Sequence, residues 1–182
     1  MKAVDVRLRI EQDDDPTSPR EHDNLGIMVC FHKRYNLGDK TELKSEMFDG
    51  WDELRQHLVD EEGALHVLPL YLYDHSGITM NTTGFSCGFD SSQVGFIYTT
   101  RKLLDDTGVA DDVAEEQLKG EVGVYDQYLT GDVWSYTVYV VHTCDMGHEH
   151  EEILDSCCGF YGQDAAEQEG EAAKEILLRD AA

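Results

Sequence analysis

The segment VDVRLRIEQ, Val4 to Gln12, sets Val4, Val6, Leu8 and Ile10 on one side and Asp5, Arg7, Arg9 and Glu11 on the other. A side-chain period of two belongs to a strand, so this stretch demands a sheet with one face in a core. Five more apolar segments of strand length follow. Leu25 to His32 is one. ALHVLPLYLYDH is the next, with Pro69 marking a bulge or an edge position. QVGFIYTT, Gln93 to Thr100, is another. VWSYTVYVVH and EEILDSCCGFY flank TCDMGHEH and read as a hairpin. Between the first two strands DDDPTSPR breaks the pattern, giving an acidic, proline-containing loop over 12–20.

Three stretches carry the helical period instead. FDGWDELRQHLVDEE aligns Phe48, Trp51, Leu54 and Leu58, with Asp49, Asp52 and Glu53 where the helix dipole favours acid. DDVAEEQLKGEVGVYDQYLTG offers Val113, Leu118, Val122, Tyr125 and Leu129 for burial. Asp111 or Asp112 is its expected cap, Gly131 its expected end, and Gly120 and Gly123 weaken its middle. An Ala/Glu-rich helix in 163–182 turns Ile176 and Leu177 inward. Hairpins and single helices alternating irregularly predict an α+β fold: a single domain with a mainly antiparallel sheet and about three helices on one face. A chain of 182 residues can bury a core of that kind.

The surface this fold must carry is acidic. There are 38 acidic and 14 basic residues, a net charge of −24. Residues 121–182 hold fourteen acids against two bases, half of the imbalance. Such a field repels phosphate backbones, so direct nucleic-acid binding is disfavoured. Two readings of the acid remain. One is a halophile's surface, needing salt to screen its own repulsion; Asp exceeds Glu and lysines number only seven. The other is a phosphate mimic that fills a partner's nucleic-acid groove. No apolar run is long enough to span a bilayer, and MKAVDVRLRIEQ lacks the apolar core of a signal peptide, so the expected location is cytoplasmic. Five irregularly placed cysteines read as reduced thiols.

Several clusters bear chemistry. TCDMGHEHEE offers Cys144, His148 and His150 as weak metal candidates, against a polar turn around Gly147. DHSG puts Asp74, His75 and Ser76 in a row, which cannot relay among themselves because neighbouring strand residues face opposite ways. A catalytic reading needs partners from elsewhere: His32 or Asp90 for His75, with Cys30 or Cys87 as nucleophile. The plainer reading is a turn that ends the strand. HKRY, His32 to Tyr35, is the densest basic spot; it can hold an anion or pair with surface carboxylates. GFSCGFDSSQVGF lacks the helix-opening context of a phosphate loop. No motif implies a cofactor.

SPREHDNLGIMVCFHKRYNLGD, LPLYLYDHSGITMNTTGFSC, SSQVGFIY, VYDQYLTGDVW and DSCCGFYG, taken together, resemble a family of small proteins carried by phages, prophages and plasmids. The blocks fall in the family's order and cover most of residues 18–162. The resemblance implies an accessory product of a mobile element, acting on host machinery or host defence in the host cytoplasm. It marks Arg20, Asn24, Cys30, His32, Tyr35 and Asp39 in the first block as residues to test. Tyr71, Tyr73, Asp74, His75, Ser76 and Thr79 follow in the second, with Asp90 and Gln93 in the third. Cys158 stands where the family has an aromatic residue, and the CDMGHEHE tip departs from it. The expected function is an acidic interaction protein that binds a host protein through the CFHKRY and YLYDHSG segments. The alternatives are a small hydrolase-type enzyme using His32, His75, Cys30, Cys87 or Asp90, and a virion or structural accessory protein.

Overall fold

The computed structural model describes residues 5–180. The fold is α+β, with two antiparallel sheets and four α-helices among these residues. The chain divides into two compact units: Ser18–Thr130, and the residues up to 17 together with those from 131 onward. Val4, expected on the first strand's apolar side, lies outside the described residues, as do positions 181 and 182 of the expected C-terminal helix.

In the Ser18–Thr130 unit the strands are β2 (Ile27–Cys30), β3 (Ala64–Asp74), β4 (Ile78–Asn81) and β5 (Ser91–Thr100), in the order β2-β5-β3-β4. β5 explains the layers. Val94, Phe96, Ile97 and Tyr98 are all buried, so both faces of the strand need cover. Helix α1 (Trp51–Asp60) brings Leu54 and Leu58 against Val29, Ala64, Phe96 and Tyr98. On the other core, Met28, Leu70, Leu72 and Ile97 meet Leu104 of α2 (Arg101–Thr107) and Leu118, Val122 and Tyr125 of α3 (Ala114–Thr130). Leu54 and Leu58 are fully buried, each worth roughly 1.5–3 kcal/mol. Helices thus cover both faces, where one covered face was expected. Pro69 fits because β4 begins pairing only at Tyr71, leaving β3 with one neighbour before it; a register irregularity follows between Leu70 and Tyr71.

Strand β1 (Val6–Gln12) belongs to the other unit and pairs with β6 (Val133–Thr143), which pairs with β7 (Glu149–Tyr161). Helix α4 (Gln163–Asp180) lies against this sheet through Ala166 and Gly170. A Cβ at Gly170 would come within 2.7 Å of Leu8 Cδ1, so the helix backbone itself approaches the strands. That row continues to Leu177, which is half-buried, and leaves Ile176 facing out at 49% exposure, contrary to the inward position expected. Val113 is also exposed, because it precedes α3 in a single 3-10 turn, while Ala114 takes the buried place. Asp111 does not cap α3; its carboxylate is held by His66 and Arg101. All five cysteines are free. Among the described residues no helix is long and apolar enough to cross a membrane.

Candidate functional site

β2 stops at Cys30, and twenty residues pass before α1 begins at Trp51, with only one 3-10 turn, Ser45–Met47, among them. An irregular segment of this length needs anchors. Arg20 supplies them from a side chain only 5% exposed. Its guanidinium donates to Asp39 at 2.9 and 2.7 Å, to Glu121 at 3.1 Å and to the Gly26 carbonyl. Asp39 in turn accepts from the Met28 amide at 2.7 Å, and Glu121 from the Leu25 amide at 2.7 Å. Burial works against the charge of Arg20, yet the bonds to Asp39 and Glu121 raise its pKa. Asn24 donates to the Pro19 and His22 carbonyls. Thr79 donates to Asp126 at 2.7 Å, and the Met80 amide reaches the same oxygen. Arg20, Asn24, Asp39 and Thr79 are therefore engaged in bracing the chain.

A different set faces the surface. His32 Nδ1 accepts from the amides of Arg34 and Tyr35 at 3.3 and 3.2 Å, which closes the turn and leaves Nε2 as the protonated nitrogen of the neutral ring. Burial first, then the Arg34 guanidinium, push the His32 pKa below the ordinary imidazole value. The His32 and Tyr35 rings stack at 5.0 Å. Tyr35 donates to Asp74 at 3.2 Å, and Arg34 forms an ion pair with the same carboxylate. The loop after β2 is thereby tied to the end of β3. Next comes the β3–β4 turn, where Ser76 takes a left-handed conformation at φ 60°. His75 is 63% exposed there, with Nδ1 3.3 Å from Asp90. The Asp74 amide also donates to the Asp90 carbonyl at 2.8 Å. Tyr73 lies between His75 and Phe85, with ring centroids at 6.1 and 5.6 Å. Gln93 lines a cleft of about 380 Å³ with His32, Arg34 and Ser92. Tyr71 is half-buried, its ring beside Gly84.

The arrangement limits the chemistry open to it. Burial pushes the Cys30 thiol up to about 12, which keeps it protonated and a poor nucleophile. Cys87 Sγ lies 3.8 Å from Asp90 Oδ2, the same oxygen that His75 approaches. The carboxylate thus stands between thiol and imidazole. A cysteine relay needs the imidazole in the middle. Asp90 and His75 do have the geometry of an orienting carboxylate and an exposed imidazole.

Cys144, His148 and His150 lie in the other unit, around the β6–β7 turn. That turn is closed by the Cys144 amide donating to His148 O at 2.9 Å and the Gly147 amide to Cys144 O at 2.8 Å. Among the described residues, no group of three or more His, Cys, Asp or Glu is placed to hold a metal ion. Sequence reading singled out neither Glu121 nor Asp126, because nothing in their spacing links them to Arg20, some 100 residues away, or to Thr79. No protein-family model, curated protein or solved structure matches this chain.

Proposed function

We propose that this is an acidic interaction protein, an accessory product of a virus or mobile element that binds a host protein. Its contact surface is the rim formed by His32, Arg34, Tyr35, Tyr73, Asp74 and His75. The carboxylate-rich exterior offers a nucleic-acid-handling or defence partner a phosphate-like face, and the host cytoplasm is its place of action. The placement in a mobile element rests on the resemblance of the sequence blocks. The binding rests on one observation: aromatic and charged side chains on two segments hold one another in fixed positions, through the Tyr35–Asp74 bond and the His32–Tyr35 stack. A preordered rim of this kind loses little entropy when it is covered.

The test compares partner capture by the wild-type protein and two variants. Tyr is enriched among binding hot spots, so Tyr73→Ala should weaken capture by about 2 kcal/mol or more with the circular dichroism unchanged. His75→Gln should be mild. The enzyme reading draws on the His75–Asp90 pair, and there the loss of a general base costs about 100-fold or more in rate. Loss of biological activity in His75→Gln at unchanged partner affinity would establish the enzyme and end the binding proposal.

A further inference from the structure

Lysine pairing across the described residues is uneven. Lys102 has Asp106 within 3.8 Å, Lys119 has Glu116 at 4.0 Å and Lys174 has Glu171 at 3.4 Å. Lys33, Lys40 and Lys44 have no carboxylate within ion-pairing distance among the described residues, and all three line the same cleft. In a chain with 38 acidic residues, three unpaired ammonium groups at one place need an explanation. The cleft has a volume of about 730 Å³, within the roughly 300–1,000 Å³ range of small-molecule sites. Its wall is the Phe31–Gly50 segment, and irregular segments beyond about 12–15 residues usually serve a function. Two carboxylates also reach it. Asp39 is taken by Arg20 and the Met28 amide, and Glu46 is exposed.

The aromatic side of the cleft defines the rest of the ligand. Phe31 and Trp51 lie nearly parallel, 14° apart, and Phe31 is within 19° of Phe48. These three rings and Leu54 line an apolar recess of about 90 Å³ that shares Phe31, Ser45 and Trp51 with the larger cleft. The lysine-lined cleft thus adjoins the aromatic recess. We propose that this cleft binds a nucleotide, with its phosphates on Lys33, Lys40 and Lys44 and its base against the Phe31–Trp51 wall. A small ligand suits the site better than a nucleic-acid strand, since the net charge of −24 repels a polyanion extending past the cleft. The inference does not depend on the partner surface.

Isothermal titration of the whole protein with ATP, pyrophosphate and adenosine tests it. ATP should bind at one site, about tenfold or more tighter than either fragment. The lysines are exposed, so Lys40→Gln/Lys44→Gln should fold as the wild type does, checked by circular dichroism. It should weaken ATP about tenfold or more and leave adenosine unchanged. Tyr73→Ala, which lies outside the cleft, should leave ATP binding intact, so the two proposals fail separately. No saturable ATP binding by the folded protein at millimolar concentration would overturn the site. So would equal ATP affinity in the double variant. Pyrophosphate binding as tightly as ATP would overturn the nucleotide and leave a bare anion site.

Discussion

Cys30 and Arg20 both lie in the segment SPREHDNLGIMVCFHKRYNLGD; the Arg20 side chain is buried, and Cys30 is partly buried on the lining of the cleft. Cys30 is held as a thiol by burial, with Asp39 adding to the effect and Arg20 opposing it. Native protein at pH 8 should therefore show slow alkylation of Cys30, while the exposed Cys157 and Cys158 react first, read by peptide mass spectrometry. The same shift sets a pH dependence. The folded-state pKa is raised from 9.0 to about 12 for Cys30, and from 10.0 to about 12 for Tyr98 and Tyr136, with burial the first cause in each. A group whose folded pKa is raised contributes its stability below the unfolded value and loses it as pH climbs toward the folded one. The melting temperature should thus fall progressively above pH 9; one that stays flat from pH 9 to 11 would contradict this burial. Arg20→Met should cost about 3–5 kcal/mol in urea unfolding, because Glu121 and Asp39 lose the cation their positions depend on. The residue types of this clamp were visible in the sequence. Their role was not, since Glu121 comes from a helix 101 positions away and only the folded chain brings it to Arg20.

Among the elements, α3 invites a direct test. Gly120 and Gly123 are exposed in its interior, and a Cβ at either meets nothing within 4 Å. Each change to Ala should add about 0.5–1 kcal/mol, by removing the helix cost of glycine without a new contact. Gly95→Ala should do the reverse, since its Cβ would sit 1.9 Å from the Val29 carbonyl oxygen. Equal melting temperatures for Gly95→Ala and wild type would refute that close approach. The elements with a strong period were legible from sequence: β1 by its alternation, α1 by Leu54 and Leu58, and the β6–β7 hairpin by its turn residues. Short elements without a period were not. α2 has seven residues, fixed by Thr100 accepting from the Leu103 amide and by left-handed Gly108 at its end; those caps were the available signal. β4 has four residues and exists because β3 offers it an edge, which is a tertiary fact. The second helical face follows from β5: its unbroken apolar run from Val94 to Tyr98 marks a strand that needs cover on both sides.

Charge acts on the whole molecule. Each compact unit holds twelve more acids than bases, so the imbalance of −24 is not confined to one region. The ion pairs that offset it are mostly exposed: Arg7–Asp5, Arg101–Asp111 and Lys102–Asp106 are all about half open or more to solvent, and such pairs add little. Among the described residues the interior ion pairs are those of Arg20, and they serve the loop after β2. Carboxylate repulsion should therefore weigh on the folded state in dilute buffer, where charges interact over tens of ångströms. At molar salt the screening length falls to about 3 Å, and most of that repulsion is removed. The melting temperature should rise steeply between low and molar KCl. Salt affects the two proposed surfaces through the same physics but reads out differently. Nucleotide affinity at Lys33, Lys40 and Lys44 should weaken as KCl screens the phosphates, even while the fold grows more stable. A melting temperature indifferent to KCl would show that the acid does not burden the fold. It would strip the halophilic reading of its basis and leave the carboxylates as a dedicated contact surface.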